Sequence, residues 1–165
     1  MSVSPDDRVA LPPSLADIAE DFSAATAQER LQLLLEFSDE LPELPERYAG
    51  HAELLERVDE CQSPLFLVVE VGEARAADGV GVGASVDERV VHLYFQAPPE
   101  APTTRGFAGI LHEGLDGLTV AEVLAVPDDA PFRFGLGEAV SPLRLRGMVA
   151  MLSRIKRQVR VRTAS

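Results

Sequence analysis

Apolar positions recur at helical spacing towards both ends of this chain and at closer, strand-like spacing between them. Leu15, Ile18, Ala19 and Phe22 share one face of a helix that Ser14 can cap, with Asp17 at its N3 position. Thr26 and Glu29 form a capping box for a second helix. Leu31, Leu34, Leu35 and Phe37 follow at helical spacing, Leu41-Pro42 ends the run, and Pro42 and Pro45 mark a rigid connector. The stretch His51 to Arg57 reads equally as a helical turn or a loop.

The middle of the chain is read as strands. Ser63 to Val71 is a β-branched run, and Arg89 to Gln96 is a second. Between them a turn around Asp78-Gly79 precedes Val80, Val82 and Ala84, which alternate with small residues. Three strands joined by short links predict an antiparallel meander. Helical signals then return. Thr103 or Thr104 can cap a helix running to Leu115, and Thr119 with Glu122 boxes a short one ending at Ala125. Ser141-Pro142 starts a long last helix to about Val161, with Leu143, Gly147, Ala150, Met151 and Ile155 as its expected buried stripe. The expected fold is α+β: a three-stranded antiparallel sheet packed against helices from both ends of the chain. Residues 1–13 are read as a disordered polar extension and 14–165 as one domain.

Composition narrows the function. The chain has 165 residues, one cysteine and no tryptophan. One cysteine excludes an internal disulfide, a Cys₂His₂ or Cys₄ zinc site, and an iron–sulfur cluster held by this chain alone. No apolar run is long enough to cross a membrane, and Met1 to Asp7 lacks a signal-peptide pattern, so the expected location is cytoplasmic. The formal net charge is −12, divided as −19 over residues 1–142 and +7 over residues 143–165. A basic tail is one signature of nucleic-acid binding. The overall negative charge opposes that, and a basic last helix pairing with an acidic body is the preferred reading, with no nucleic acid and no membrane as partner.

Chemistry concentrates at Cys61, in Val58-Asp-Glu-Cys-Gln-Ser-Pro64. A solitary cysteine is usually a small buried hydrophobe, but the flanks Asp59, Glu60, Gln62 and Ser63 are polar. A cysteine on a turn before a rigid strand can present its sulfur to a partner.

Val58-x-x-Cys61-Gln62-Ser63 followed by an apolar strand resembles the sulfur-acceptor motif of the SufE-type cysteine desulfuration proteins. Leu33-Leu34-x-x-x-Ser38 with Leu41-Pro42 resembles their second helix and its exit. Arg105-Gly106 is similar to a family Lys-Gly or Arg-Gly pair, and Ser141-Pro142-x-Arg144-x-x-Gly147-x-x-x-Met151 to a further stretch. The resemblance runs from about Leu15 to Arg160. It implies a SufE/IscU-like fold and a role in iron–sulfur cluster assembly. Cys61 is then the persulfide acceptor, with Gln62, Ser63, Arg105 and Arg144 as supporting or partner-facing residues. The implied partners are a cysteine desulfurase as donor and an iron–sulfur scaffold as recipient. Pyridoxal phosphate belongs to the desulfurase, and this chain is expected to bind no cofactor or metal of its own. The family also implies that the free protein keeps its cysteine loop against an apolar hollow.

Asp59 and Glu60 would raise the thiol pKa, and Arg57, Arg105 or Arg144 are the cations expected to offset them. Gly106 and Gly147 are expected to permit close helix packing. Two other classes stay open. One is a non-catalytic regulatory partner of a desulfurase, with Cys61 incidental. The other is a cysteine hydrolase using His51, His92 or His112 as base. A cluster scaffold, usually built on three cysteines, does not fit one.

Overall fold

Residues 9–74 and 85–164 are described by the computed structural model. Helix α1 (Pro13–Ala24) and α2 (Ala27–Glu40) open the chain. A two-residue strand β1 (Glu56–Arg57), β2 (Phe66–Ala74) and β3 (Arg89–Gln96) form the sheet. Helices α3 (Pro102–Leu115), α4 (Val120–Leu124) and α5 (Pro142–Thr163) complete the chain, with short 3₁₀ turns between α4 and α5.

The sheet is antiparallel throughout, in the order β1-β2-β3. Three strands are present among the described residues, as expected, but one member differs. The Asp78-Gly79 turn and the Val80–Ala84 strand lie outside the described residues, and the third strand comes from the undecided 51–57 stretch, where Glu56 pairs with Leu67 and Arg57 with Phe66. Leu67, Val69, Val91, Leu93 and Phe95 alternate onto one fully buried face. Both sheet edges are covered. On the β2 side, beyond the short β1, Gln158 Oε1 accepts the Val69 N–H at 2.8 Å. On the β3 side, Asp116 Oδ1 accepts the Leu93 N–H at 2.8 Å, and Leu118 accepts that of Val91.

The capping boxes at Thr26–Glu29 and Thr119–Glu122 are both formed, and Leu15, Ile18, Ala19 and Phe22 are buried as the periodicity predicts. Four local expectations are corrected. Ser14 does not cap α1, because its hydroxyl instead donates to the Gly114 carbonyl at 2.6 Å, tying α1 to α3. Neither Thr103 nor Thr104 caps α3, which starts at Pro102 behind Ala101. On α2, Leu34 and Ser38 are buried whereas Leu31 and Leu35 are exposed. On α5, Leu143 is exposed and Leu145 and Met148 join the buried stripe. Of the extension expected to be disordered, residues 1–8 lie outside the described residues, but Leu11 packs on the core and Pro13 begins α1.

Glycine decides how α2 meets α3. A Cβ on Gly106 would stand 2.6 Å from the Leu34 carbonyl oxygen, and one on Gly109 would overlap that of Phe37. The two backbones therefore approach as only glycine allows, and Phe37 is free to stack with Phe22, whose ring meets Phe134 edge-on at 5.9 Å. This α1–α2–α3 layer fixes the start of α3, which forms one wall of the site.

Candidate functional site

Cys61 lies in the loop between β1 and β2. Two backbone bonds shape that loop: the Val58 N–H donates to Leu65 O at 2.9 Å, and the Cys61 N–H to Val58 O at 3.2 Å. Val58 and Leu65 are fully buried, so the loop springs from two anchored ends. The Cys61 side chain is half-buried and packs on the core beside α5. Gly147 makes the room, since a Cβ there would stand 3.0 Å from Sγ. Its small size serves the cysteine rather than a helix crossing, whereas Gly106 does serve one.

A cavity of about 100 Å³ opens at the sulfur. Cys61, Gln62 and Ser63 form one side, Glu100, Thr103, Thr104 and Phe107 a second, and Arg144 on α5 a third. Arg144 Nη1 donates to Thr103 Oγ1 at 3.2 Å, and its backbone N–H is capped by the Ser141 hydroxyl. Four of the five residues singled out from sequence, Cys61, Gln62, Ser63 and Arg144, thus meet at one cavity. Arg105 does not. Its guanidinium donates to the carbonyls of Ala97 (2.8 Å) and Ser38 (3.3 Å), locking α2, α3 and the end of β3 together.

The charges also differ from expectation. Arg57 pairs with Asp59 at 3.5 Å. The cation acting on the cysteine is Arg154, which grips the Glu60 carboxylate through both terminal nitrogens at 2.8 and 2.9 Å. Sequence reading missed it, although Arg154 follows Gly147 by two helical turns and so shares its face. Burial first, and then the Glu60 charge, push the Cys61 thiol up to about 11, while Arg154 pulls the other way. In this closed arrangement the sulfur is a neutral thiol near pH 7. The thiolate is the reactive form of a cysteine, so burial and the Glu60 charge both lower the reactivity of this sulfur.

The histidines stand apart from this cavity. His51 pairs with Glu53 at 3.2 Å, and His92 and His112 flank Asp116 at 3.6 and 3.9 Å. None lines the cavity at Cys61, and among the described residues no cluster of His, Cys, Asp and Glu is arranged to hold a metal ion. No helix among the described residues is long and apolar enough to cross a membrane.

Fold and site together define a class: an α+β protein that carries one half-buried cysteine on a loop between two strands, packed against the C-terminal helix. The chain belongs to the SufE family, described as an Fe-S metabolism associated domain, whose profile matches residues 16–159. Uncharacterized SufE-like proteins from two strains of Mycobacterium tuberculosis are each 50% identical to it over 150 residues, covering 91% of this chain and 94% of theirs. SufE-like protein 1, chloroplastic/mitochondrial, of Arabidopsis thaliana is 24% identical over 149 residues, which are 90% of this chain and 35% of that protein. The solution structure of a hypothetical protein from Thermus thermophilus superposes with a TM-score of 0.75 at 38% identity, covering 94% of this chain and all of that one.

Proposed function

We propose that this protein accepts sulfur from the persulfide of a cysteine desulfurase onto Cys61, stimulates that enzyme by doing so, and passes the sulfur to an iron–sulfur scaffold. The observation that carries the reading is the seating of the chain's single cysteine on an anchored loop, at the mouth of a cavity lined by Arg144, Gln62 and Ser63. The chemistry needs one sulfur and no second thiol. The Cys61 thiolate attacks the outer sulfur of the donor persulfide, one S–S bond forms as another breaks, and the donor cysteine leaves as its thiolate. The sulfane sulfur moves with no net oxidation or reduction, and a neighbouring thiol would only expel it as sulfide.

Two features of the site support a partner-dependent step. The thiol is protonated while its loop is closed, and the cavity at Sγ is too small for a folded donor to enter. Sulfur transfer therefore requires the loop to move out towards the desulfurase. The acidic body, with a net charge of −19 over residues 1–142, steers the encounter with a basic face of the partner, and the association weakens with added salt.

The test is desulfurase turnover measured as sulfide or alanine release from L-cysteine, with the wild-type chain and with Cys61→Ser. The proposal expects stimulation that vanishes in the variant. Full stimulation by Cys61→Ser would instead make the chain a non-catalytic regulator. Substituting each histidine in turn is expected to leave stimulation intact, which separates this reading from a cysteine hydrolase.

A further inference from the structure

Cys61 is tied to α5 at two points on one helix face. Its sulfur rests over Gly147, and Glu60, the preceding residue, is gripped by Arg154 two turns further on. Arg154 is itself braced, its Nε lying 3.2 Å from Glu56 Oε2. Glu56 in turn is paired with Arg157 and accepts from Gln158 Nε2 at 3.0 Å, and Gln158 also caps the β2 edge at Val69. The cysteine loop therefore hangs from an ionic network rooted in the last helix, and among the described residues one link of that network, Glu60–Arg154, reaches the loop itself.

We infer that Arg154 is a positioning residue for Cys61: its two-point bond to Glu60 keeps the cysteine loop closed on α5, and the loop opens only when that bond breaks. For its purpose the inference rests on the sulfur-acceptor reading above; for its geometry it does not. Arg154 is well suited to the role. Its side chain is 23% exposed and pre-organised by Glu56, so closing the loop immobilises little that is not already ordered, while Glu60 is 41% exposed and open to exchange. When the bond breaks, Arg154 stays on α5 paired with Glu56 of β1, and Glu60 leaves with the loop. The charged groups around the sulfur are Glu60 on its own loop, Glu100 before α3, and Arg144 and Arg154 on α5. Arg144 is engaged with Thr103, and the neighbouring Asp59 pairs with Arg57, which leaves Glu60–Arg154 as the ion pair between loop and helix among the described residues.

The experiment is the pH–rate profile for alkylation of Cys61 by iodoacetamide in the full chain, for wild type, Glu60→Gln, Arg154→Gln and the double variant. Each single change is expected to speed alkylation at pH 8 by about fivefold, the scale of a partly exposed ion pair, and to move the midpoint of the profile down towards the ordinary thiol range. The double variant is expected to be no faster than the faster single, because both changes open the same link. With the loop still closed, losing the Arg154 charge would raise the midpoint and losing the Glu60 charge would lower it, so the deciding result is the direction in Arg154→Gln: a fall in its midpoint supports the clasp, and a rise overturns it. Wild-type profiles in both singles, or fold-changes that multiply in the double variant, overturn the inference. Formation of the persulfide on wild-type Cys61 is measured separately. A chain that takes up sulfur yet shows no change in these profiles loses the clasp alone, and one with the predicted profiles that never takes up sulfur loses the acceptor reading alone.

Discussion

The Cys61 sulfur and the backbone of Gly147 are in contact so close that a single added methyl group would stand 3.0 Å from Sγ. Gly147→Ala therefore adds helix propensity of up to about 1 kcal/mol and at the same time presses on the end of a loop side chain. The sulfur yields more easily than the helix. Alkylation of Cys61 is expected to become faster than in wild type, while the thermal midpoint changes by only a few degrees. Thiol labelling and a melting curve on the same preparation check both halves.

The thiol's own titration is the second prediction. With Cys61 pushed up to about 11, alkylation of the free protein is expected to rise about tenfold per pH unit through the mildly alkaline range, without levelling until near that value. The sign for stability follows from the same shift. The folded state holds the proton longer than the unfolded chain, so the contribution is intact below about 9 and is lost as pH climbs towards about 11. Denaturant midpoints of wild type and Cys61→Ser across that range are expected to converge as pH rises.

Gly109 lies at the crossing of α2 and α3, where a Cβ would overlap the Phe37 carbonyl oxygen. Gly109→Ala is expected to cost about 2 kcal/mol in urea unfolding, since neither backbone can retreat without disturbing the Phe22–Phe37 stack. The pH profile of Cys61 in the folded protein is expected to stay at wild type.

Arg105 has a comparable role. Its two bonds to main-chain carbonyls predict that Arg105→Gln lowers stability by about 1–2 kcal/mol and leaves Cys61 alkylation unchanged. Arg144→Gln is expected to behave in the opposite way, with little loss of stability and weaker stimulation of a desulfurase, because Arg144 lines the cavity at the sulfur. Urea titrations alongside turnover assays separate the two arginines.

These contrasts show which features are legible in the sequence. Capping boxes such as Thr26–Glu29 are local and were readable directly. The α2 stripe was not, because Leu31, Leu34, Leu35 and Phe37 offer two overlapping faces, and the partner helix selects one through Gly106 and Gly109. Strand β1 has only two residues and exists because β2 pairs with it, so no periodicity marks it. At the site, Cys61-Gln62-Ser63 is contiguous and carries its own signal. Arg144 came from a motif resemblance, as did Arg105, and nothing in the motif distinguishes a cavity wall from a carbonyl lock. The Glu60–Arg154 bond spans 94 positions, beyond the reach of any local pattern.

The central claim is that Cys61 carries sulfane sulfur. Its most direct measurement is the mass of the Cys61 peptide after incubation with a cysteine desulfurase, L-cysteine and pyridoxal phosphate, without reductant. The account predicts an added mass of about 32 Da, one sulfur atom, on that peptide, lost on treatment with a thiol reductant and absent from Cys61→Ser. An unmodified Cys61 peptide under conditions where the desulfurase turns over and binds the chain would contradict it.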